Sequence, residues 1–251
     1  MVNADDFGLS TLTNNAILHV FERRLISSTT IMTNMPGFSH ACELIHRYHM
    51  NRHVGLHLNF TQGTPLTDPI TNCPRFCDSN GQWRPRQMVL YMTPTEARAL
   101  EIEITAQYMA CTQQGFTPTH FDSHHHIHTE IGVLSIVTRM AVRLSVPAIR
   151  IARNIGQKRQ DASFMHRSLA RTYRLTCNGY LRSCGLAKTG YFGDLLSATA
   201  ILQSARLPVE LMVHPRYDAQ DRLVDLDGGD LEARIRALRI QPEMMCSYHH
   251  L

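Results

Sequence analysis

Residues 1–10 read MVNADDFGLS, and the order of residue types in this stretch sets the class of fold. Met1 and Val2 begin as a strand does, Phe7-Gly8 reads as a turn, and Ser10 is a natural N-cap. Over residues 15–24 and just beyond, Ile17, Val20, Phe21 and Leu25 then share one face of a helix. Strand, turn and amphipathic helix make the opening of a βαβ unit. Inside it sit two adjacent carboxylates, Asp5 and Asp6, at the expected strand end. Like charges so placed repel unless a cation lies beside them. They are either a solvated turn or a pair that shares a metal or divides acid–base work.

The alternation continues outward. Strands are expected at residues 29–34, 53–60, 119–122, 148–152 and 210–213, and helices at 39–48, 131–144, 164–183 and 231–238. A further helix opens at TPTE, residues 93–96, where Thr93 caps, Pro94 fills the first turn and Glu96 closes a capping box. Ala97, Leu100, Ile104, Tyr108 and Cys111 carry its apolar repeat, and Gly115 stops it. Such alternation favours a parallel sheet with helical crossovers, either an open sheet or a distorted or incomplete barrel. Residues 61–92, rich in Pro, Thr, Asn and Gly, form a long irregular insertion, and the 251 residues read as a single catalytic domain.

Composition narrows the function classes. Hydrophobic residues make up 43% of the chain and charged residues 18%, enough for a sizeable core and against disorder. The net charge of +4 is spread out, with no basic stripe that would argue for nucleic acid; QKRQ at residues 157–160 reads as a solvated loop. Seven cysteines without CxxC spacing argue for a reducing compartment and against a disulfide framework. No signal peptide and no apolar run of membrane-spanning length is visible, so a cytoplasmic protein is expected. Histidine is over-represented, with 15 residues, several of them clustered.

Four stretches place titratable residues at strand ends: NADDFG, GLHLN with His57, THFDSHHHIH with His120, Asp122, His124, His125, His126 and His128, and MVHPRYD with His214. In parallel α/β folds the carboxyl ends of the strands line the active site. Each stretch alone has a plain explanation. His57 fits a packed, hydrogen-bonded strand histidine, His214-Pro215 a strand end, and the triple histidine a solvated loop that binds metal adventitiously. Together, carboxylate and imidazole groups from separate strands are what a catalytic divalent site uses. A metal of that kind polarises a carbonyl and acidifies water, and amide hydrolysis also needs a base and an acid. Spacing leaves the ligand set open, since His124 and His128 are four apart, as paired zinc ligands often are.

NADDFGLS, TTIMTN, GLHLN with TQGTPLT, PTHFDSHHHIH and MVHPRYD, in that order, resemble the YdjC-like carbohydrate deacetylases, a family that includes deacetylases of chitooligosaccharides. The resemblance runs from Asn3 to about Asp218, with a weaker echo in SYHHL, residues 247–251. It implies a distorted (β/α) barrel of the polysaccharide-deacetylase type. Only Met1 and Val2 precede the first motif here, so the first strand is expected to be truncated. The family's metal ligands fall on Asp6, His57 and His124, its general base on Asp5 and its general acid on His214. Asp122 and His128 fall in positions that support a ligand or face the substrate. The implied cofactor is one divalent ion, magnesium by resemblance, although two imidazoles and a carboxylate suit zinc or another transition ion better. The implied partner is an N-acetylated amino sugar or oligosaccharide, and barrels of this family often pair, which implies a homodimer. Trp83 and Tyr91 of the insertion either stack on a sugar or pin their loop. The competing readings are a metal phosphoesterase, which would want two metals and more carboxylates, and a non-catalytic metal- or sugar-binding module.

Overall fold

The computed structural model describes residues 1–156, 163–240 and 244–251; the QKRQ stretch lies outside them. Six parallel strands form one sheet in the order β4-β3-β2-β1-β6-β5. These are β1 (Val2–Phe7), β2 (Ser28–Ile31), β3 (Val54–Leu58), β4 (Phe121–Ser123), β5 (Tyr191–Asp194) and β6 (Val209–Val213). β1 lies at the centre and is buried at all six positions. It therefore reaches past the Met1-Val2 start that the sequence suggested, and both aspartates lie within the strand rather than beyond it. Its partners are β2, with Asn3 opposite Ser28, and β6, with Asn3 opposite Met212.

Helices cover the outer face as crossovers. α1 (Thr11–Glu22) and α2 (Phe38–Arg47) join the first three strands. Between β3 and β4 come the short α3 (Asp68–Thr71) and the long α4 (Pro94–Gln113), followed by α5 (Ile131–Arg143), α6 (Phe164–Ser183) and α7 (Ala198–Leu202). After β6 the chain makes a small antiparallel pair, β7 (Arg216–Tyr217) with β8 (Leu223–Val224), and α8 (Leu231–Ala237). The starts of two helices follow the expected chemistry: Ser10 Oγ accepts from Thr13 N, and Thr93 with Glu96 closes a capping box.

The sheet curls into a half-barrel, and the expected strand at residues 148–152 lies in the gap between its ends. It is no regular strand. Ile149 makes one parallel bridge to Phe121 of β4, and Ala148 makes another to Ala187. Two features keep it from a full ladder. Pro147 offers no N–H, and both backbone groups of Ala152 are taken by the Asn178 side chain on α6, at 2.8 and 2.9 Å.

The insertion at residues 61–92 is fixed from two sides. Buried Glu103 on α4 accepts from Leu66 N at 3.0 Å and from Thr67 Oγ1 at 2.7 Å. Gly132 N donates to Val89 O at 2.8 Å. Trp83 is 5% exposed and packs between Phe60 and Phe76, so it pins the loop and offers no face to a sugar. Tyr91 is exposed, with the Arg75 guanidinium over its ring. Among the described residues no helix is long and apolar enough to cross a membrane.

Candidate active site

A strand sends successive side chains to opposite faces, so adjacent aspartates should not serve one site. β1 breaks this rule. Its register against β2 shifts between Ala4 and Phe7, and Asp6 has φ 71°. This is a bulge with a left-handed aspartate, a conformation that Asp tolerates better than most residues and one that clusters at functional sites. Gly8 completes the exit at φ 90°, where a Cβ would lie 2.6 Å from Met32 O. The bulge leaves Asp5 facing the barrel interior and turns Asp6 toward His57 on β3 and His124 just past β4.

Asp6 Oδ1 lies 3.2 Å from His57 Nε2 and 2.9 Å from His124 Nδ1. The far nitrogen of each ring is held. His57 Nδ1 donates to Asp122 Oδ1 at 2.8 Å, and His124 Nε2 donates to Gln62 Oε1 at 2.9 Å. Register explains the first contact, because His57 and Asp122 are opposite partners on β3 and β4. Thr30 of β2 adds a hydroxyl bond to Asp122 Oδ2 at 3.1 Å. Burial works against ionisation of Asp6, but its hydrogen bonds with His124 and His57 hold the carboxyl well below the usual range. Burial favours neutral His57, yet Asp122 and then Asp6 push its pKa up to about 10.

One carboxylate and two imidazoles, with ligand atoms all within 4.8 Å of one another, fit a divalent cation. The carboxylate behind His57 is the usual partner of a metal-bound histidine, since it fixes the tautomer and leaves Nε2 free to ligate. A second trio, Asp5, His57 and Asp122, is equally close but does not fit. A cation already stands there: Arg150, fully buried, reaches Asp5 Oδ1 and Oδ2 at 2.7 Å each, Asp122 Oδ2 at 2.5 Å and Glu210 Oε1 at 2.7 Å. Asn3 Nδ2 also donates to Asp5 Oδ1, at 2.8 Å. Burial raises the Asp5 pKa, but Arg150, with smaller help from His57 and His214, holds it well below the usual carboxylate range.

His214 directly follows β6, whose Val213 is opposite Ala4; its backbone N–H donates to Asp225 Oδ1 at 2.8 Å, and its ring is close enough to bear on Asp5. His125 and His126 both adopt left-handed φ, 53° and 56°, so no regular helix joins His124 to His128. His124 turns to Asp6, whereas His128 is buried between Ser123 Oγ at 2.6 Å and Arg150 O at 3.2 Å, outside the Asp6 group. His125 Nδ1 meets Thr61 Oγ1, and His126 packs edge-on to Phe192. His120 lies two residues below Asp122 on the same inner face, away from the group.

Sequence reasoning missed Arg150, Thr30, Gln62 and Glu210. Arg150 left one usable signal: a lone arginine in the apolar run VPAIRIA, which a buried position allows only if it is paired.

Two proteins named carbohydrate deacetylase are similar to the chain. The one from Halalkalibacterium halodurans is 38% identical over 59% of this chain and 61% of its own length, which is under two thirds of that relative. The one from Brevibacillus brevis is 33% identical over 86% of this chain and 81% of its own. A chitooligosaccharide deacetylase of Proteus mirabilis is 30% identical over the same shares. A crystal structure of a putative cellobiose-phosphate cleavage protein from Enterococcus faecalis covers 100% of the chain and 97% of its own length, with TM-score 0.66. At 19% identity it speaks for the fold alone. The model of the family described as YdjC-like protein matches residues 1–244, and the chain belongs to that family.

Proposed function

We propose that this protein is a metal-dependent hydrolase that removes acetyl from an N-acetylated amino sugar or oligosaccharide, with the whole chain as one catalytic domain. The observation that carries this reading is the Asp6–His57–His124 group, with Asp122 behind His57, in a chain whose relatives are named carbohydrate deacetylases. Asp6, His57 and His124 would hold one divalent ion. When bound, such an ion supplies a charge that polarises the acetyl carbonyl and acidifies water.

The remaining work belongs to side chains. Asp5 accepts the proton of the attacking water, and Arg150 fixes both of its oxygens so that it cannot swing into the ligand group. The same clamp makes Asp5 a weak base, so Asp5 suits a water already made acidic. His214, at the end of β6, gives a proton to the departing amine nitrogen, as a positioned imidazole can do. Asp122 keeps His57 in the tautomer that presents Nε2. The products are acetate and a free amine.

Two imidazoles and one carboxylate suit zinc or another transition ion, and magnesium is the ion that family resemblance favours. Stripping the metal and restoring each ion separately decides between them. The reading includes a cytoplasmic enzyme, supported by seven unpaired cysteines, and a homodimer, to be checked by light scattering. The central test is Asp5→Asn, assayed by acetate release from N-acetylglucosamine oligomers with and without chelator. Release should fall by about 100-fold or more while metal stays bound. Survival of both activities would remove Asp5 from the mechanism, and chelator-insensitive turnover by the unaltered protein would remove the metal.

A further inference from the structure

At the end of the barrel opposite the Asp6 group, a second polar set is sealed from solvent. Tyr248 is 2% exposed. Its ring lies on that of His120 with centroids 3.7 Å apart and planes 17° from parallel. His120 has room there only because Gly55 carries no side chain; a Cβ would lie 2.3 Å from the imidazole. The Tyr248 hydroxyl donates to Glu210 Oε2 at 2.5 Å. Glu210 Oε1 takes the Nε edge of Arg150 at 2.7 Å, and the two Nη groups of Arg150 then reach Asp5 and Asp122. A continuous chain of contacts thus runs from the floor of the barrel to the proposed base and to the partner of His57.

Packing does not account for this hydroxyl. Met1 and Ala148 share the floor with Tyr248, and its ring packs against them and the face of His120. Phenylalanine would fill the same space without burying a hydroxyl, but it would leave Glu210 Oε2 without this donor. What the hydroxyl does is hold Glu210 in one rotamer. A guanidinium is a rigid planar fork, so an anion fixed on its Nε edge sets the direction of both Nη groups. We infer that Tyr248 is a positioning residue for the proposed deacetylation, acting through Glu210 to aim Arg150 at Asp5 and Asp122. This rests on the function proposed above.

Tyr248→Phe tests the inference because it keeps the ring and its stack on His120. With N-acetylglucosamine oligomers, kcat should fall about 10-fold while KM and metal affinity hold, the scale seen when an indirect partner of a reacting group is lost. A purely structural tyrosine would instead lower Tm and leave kcat of the folded protein unchanged, which would overturn the inference. Glu210→Gln should show the same loss, and the double variant no more than the larger single loss. Losses that multiply would mean independent roles and would equally overturn it. Absence of acetate release from the unaltered protein would sink the deacetylase reading, and positioning would then be read directly. Nitrogen-15 spectra of the unaltered protein should show separate Arg150 Nη–H signals that merge in Tyr248→Phe as the fork begins to rotate. Identical spectra would refute positioning whatever the reaction.

Discussion

Replacing Arg150 by methionine removes the cation that Asp5, Asp122 and Glu210 share while keeping much of the buried side-chain volume. All four residues are buried, with Arg150 and the two carboxylates of Asp122 and Glu210 at 0% exposure and Asp5 at 1%. Removing one partner of a buried ion pair costs about 3–5 kcal/mol, because the other charge is left without compensation. For a chain of this length about 1 kcal/mol shifts Tm by roughly 2–4 °C, so a fall of about 6–20 °C at pH 8 is expected. The pH dependence carries the sharper test. In the unaltered protein Asp5 is held below its unfolded pKa, so it contributes stability above about pH 3.9 that is lost as pH falls through the folded value. Without Arg150, burial is opposed by the smaller pull of His57 and His214 and raises Asp5, as it already raises Glu210 despite the arginine. An acid raised in the folded state penalises that state as pH rises above its unfolded pKa, in full above the folded pKa, and the penalty fades as pH falls back through that window. Arg150→Met should therefore gain stability relative to the unaltered protein as pH is lowered from 8 to 5. Thermal unfolding followed by circular dichroism across that range measures both effects. A variant within about 1 kcal/mol of the original at pH 8, or one whose deficit does not change with pH, would refute the picture of a neutralising core.

Three further outcomes can be measured independently. Asp122→Asn should weaken metal binding by about 10–100-fold in calorimetry while His57 and Asp6 remain, and unchanged affinity would show that Asp122 does not hold the His57 tautomer. Because the metal-free protein keeps both His57 ring protons up to about pH 10, metal uptake at pH 7 should release close to one proton. Affinity should then climb as pH rises toward that value; titrations in two buffers of different ionisation enthalpy would report no release if Nε2 were not a ligand. Trp83→Ala should destabilise the fold by about 3–5 kcal/mol, whereas Tyr91→Ala, at a position 68% exposed, should change stability by less than about 0.5 kcal/mol. Equal effects would contradict the role of Trp83 as the anchor of the insertion.

Much of the architecture was written locally in the chain. Ser10, Thr93 with Glu96, and the apolar spacing from Ala97 to Cys111 mark helix starts and faces through contacts a few residues long, and these helices appear within a residue or two of expectation. The stretch 148–152 shows where local reading stops. It has the composition of a strand, yet whether it joins a ladder depends on Asn178 and on the gap between β4 and Ala187, which no nearby residue reveals. β5 was missed for a related reason: YFGD is too short and too mixed to show a period. The site divides along the same line. Asp5, Asp6, His57, His124 and His214 stand out because several titratable residues crowd strand ends. The bulge that separates the two aspartates is a backbone event and leaves no trace in residue types alone. Arg150, Glu210 and Tyr248 are single residues in ordinary surroundings, and only the closed barrel brings them together.

The segment that fills the gap in the barrel also carries Arg150, so closing the barrel and balancing its charge are one event. Until residues 148–152 dock, Asp5 on β1 and Asp122 on β4 lack the guanidinium that pairs with both, and the imidazole of His57 is the cation left beside Asp122. Early strands can therefore pair but cannot dehydrate their inner face at low cost. Folding should be correspondingly all-or-none, with the rate-limiting step late in the chain. A polypeptide ending before Arg150 should stay expanded at neutral pH, and adding residues 148–251 as a separate fragment should be needed to complete it.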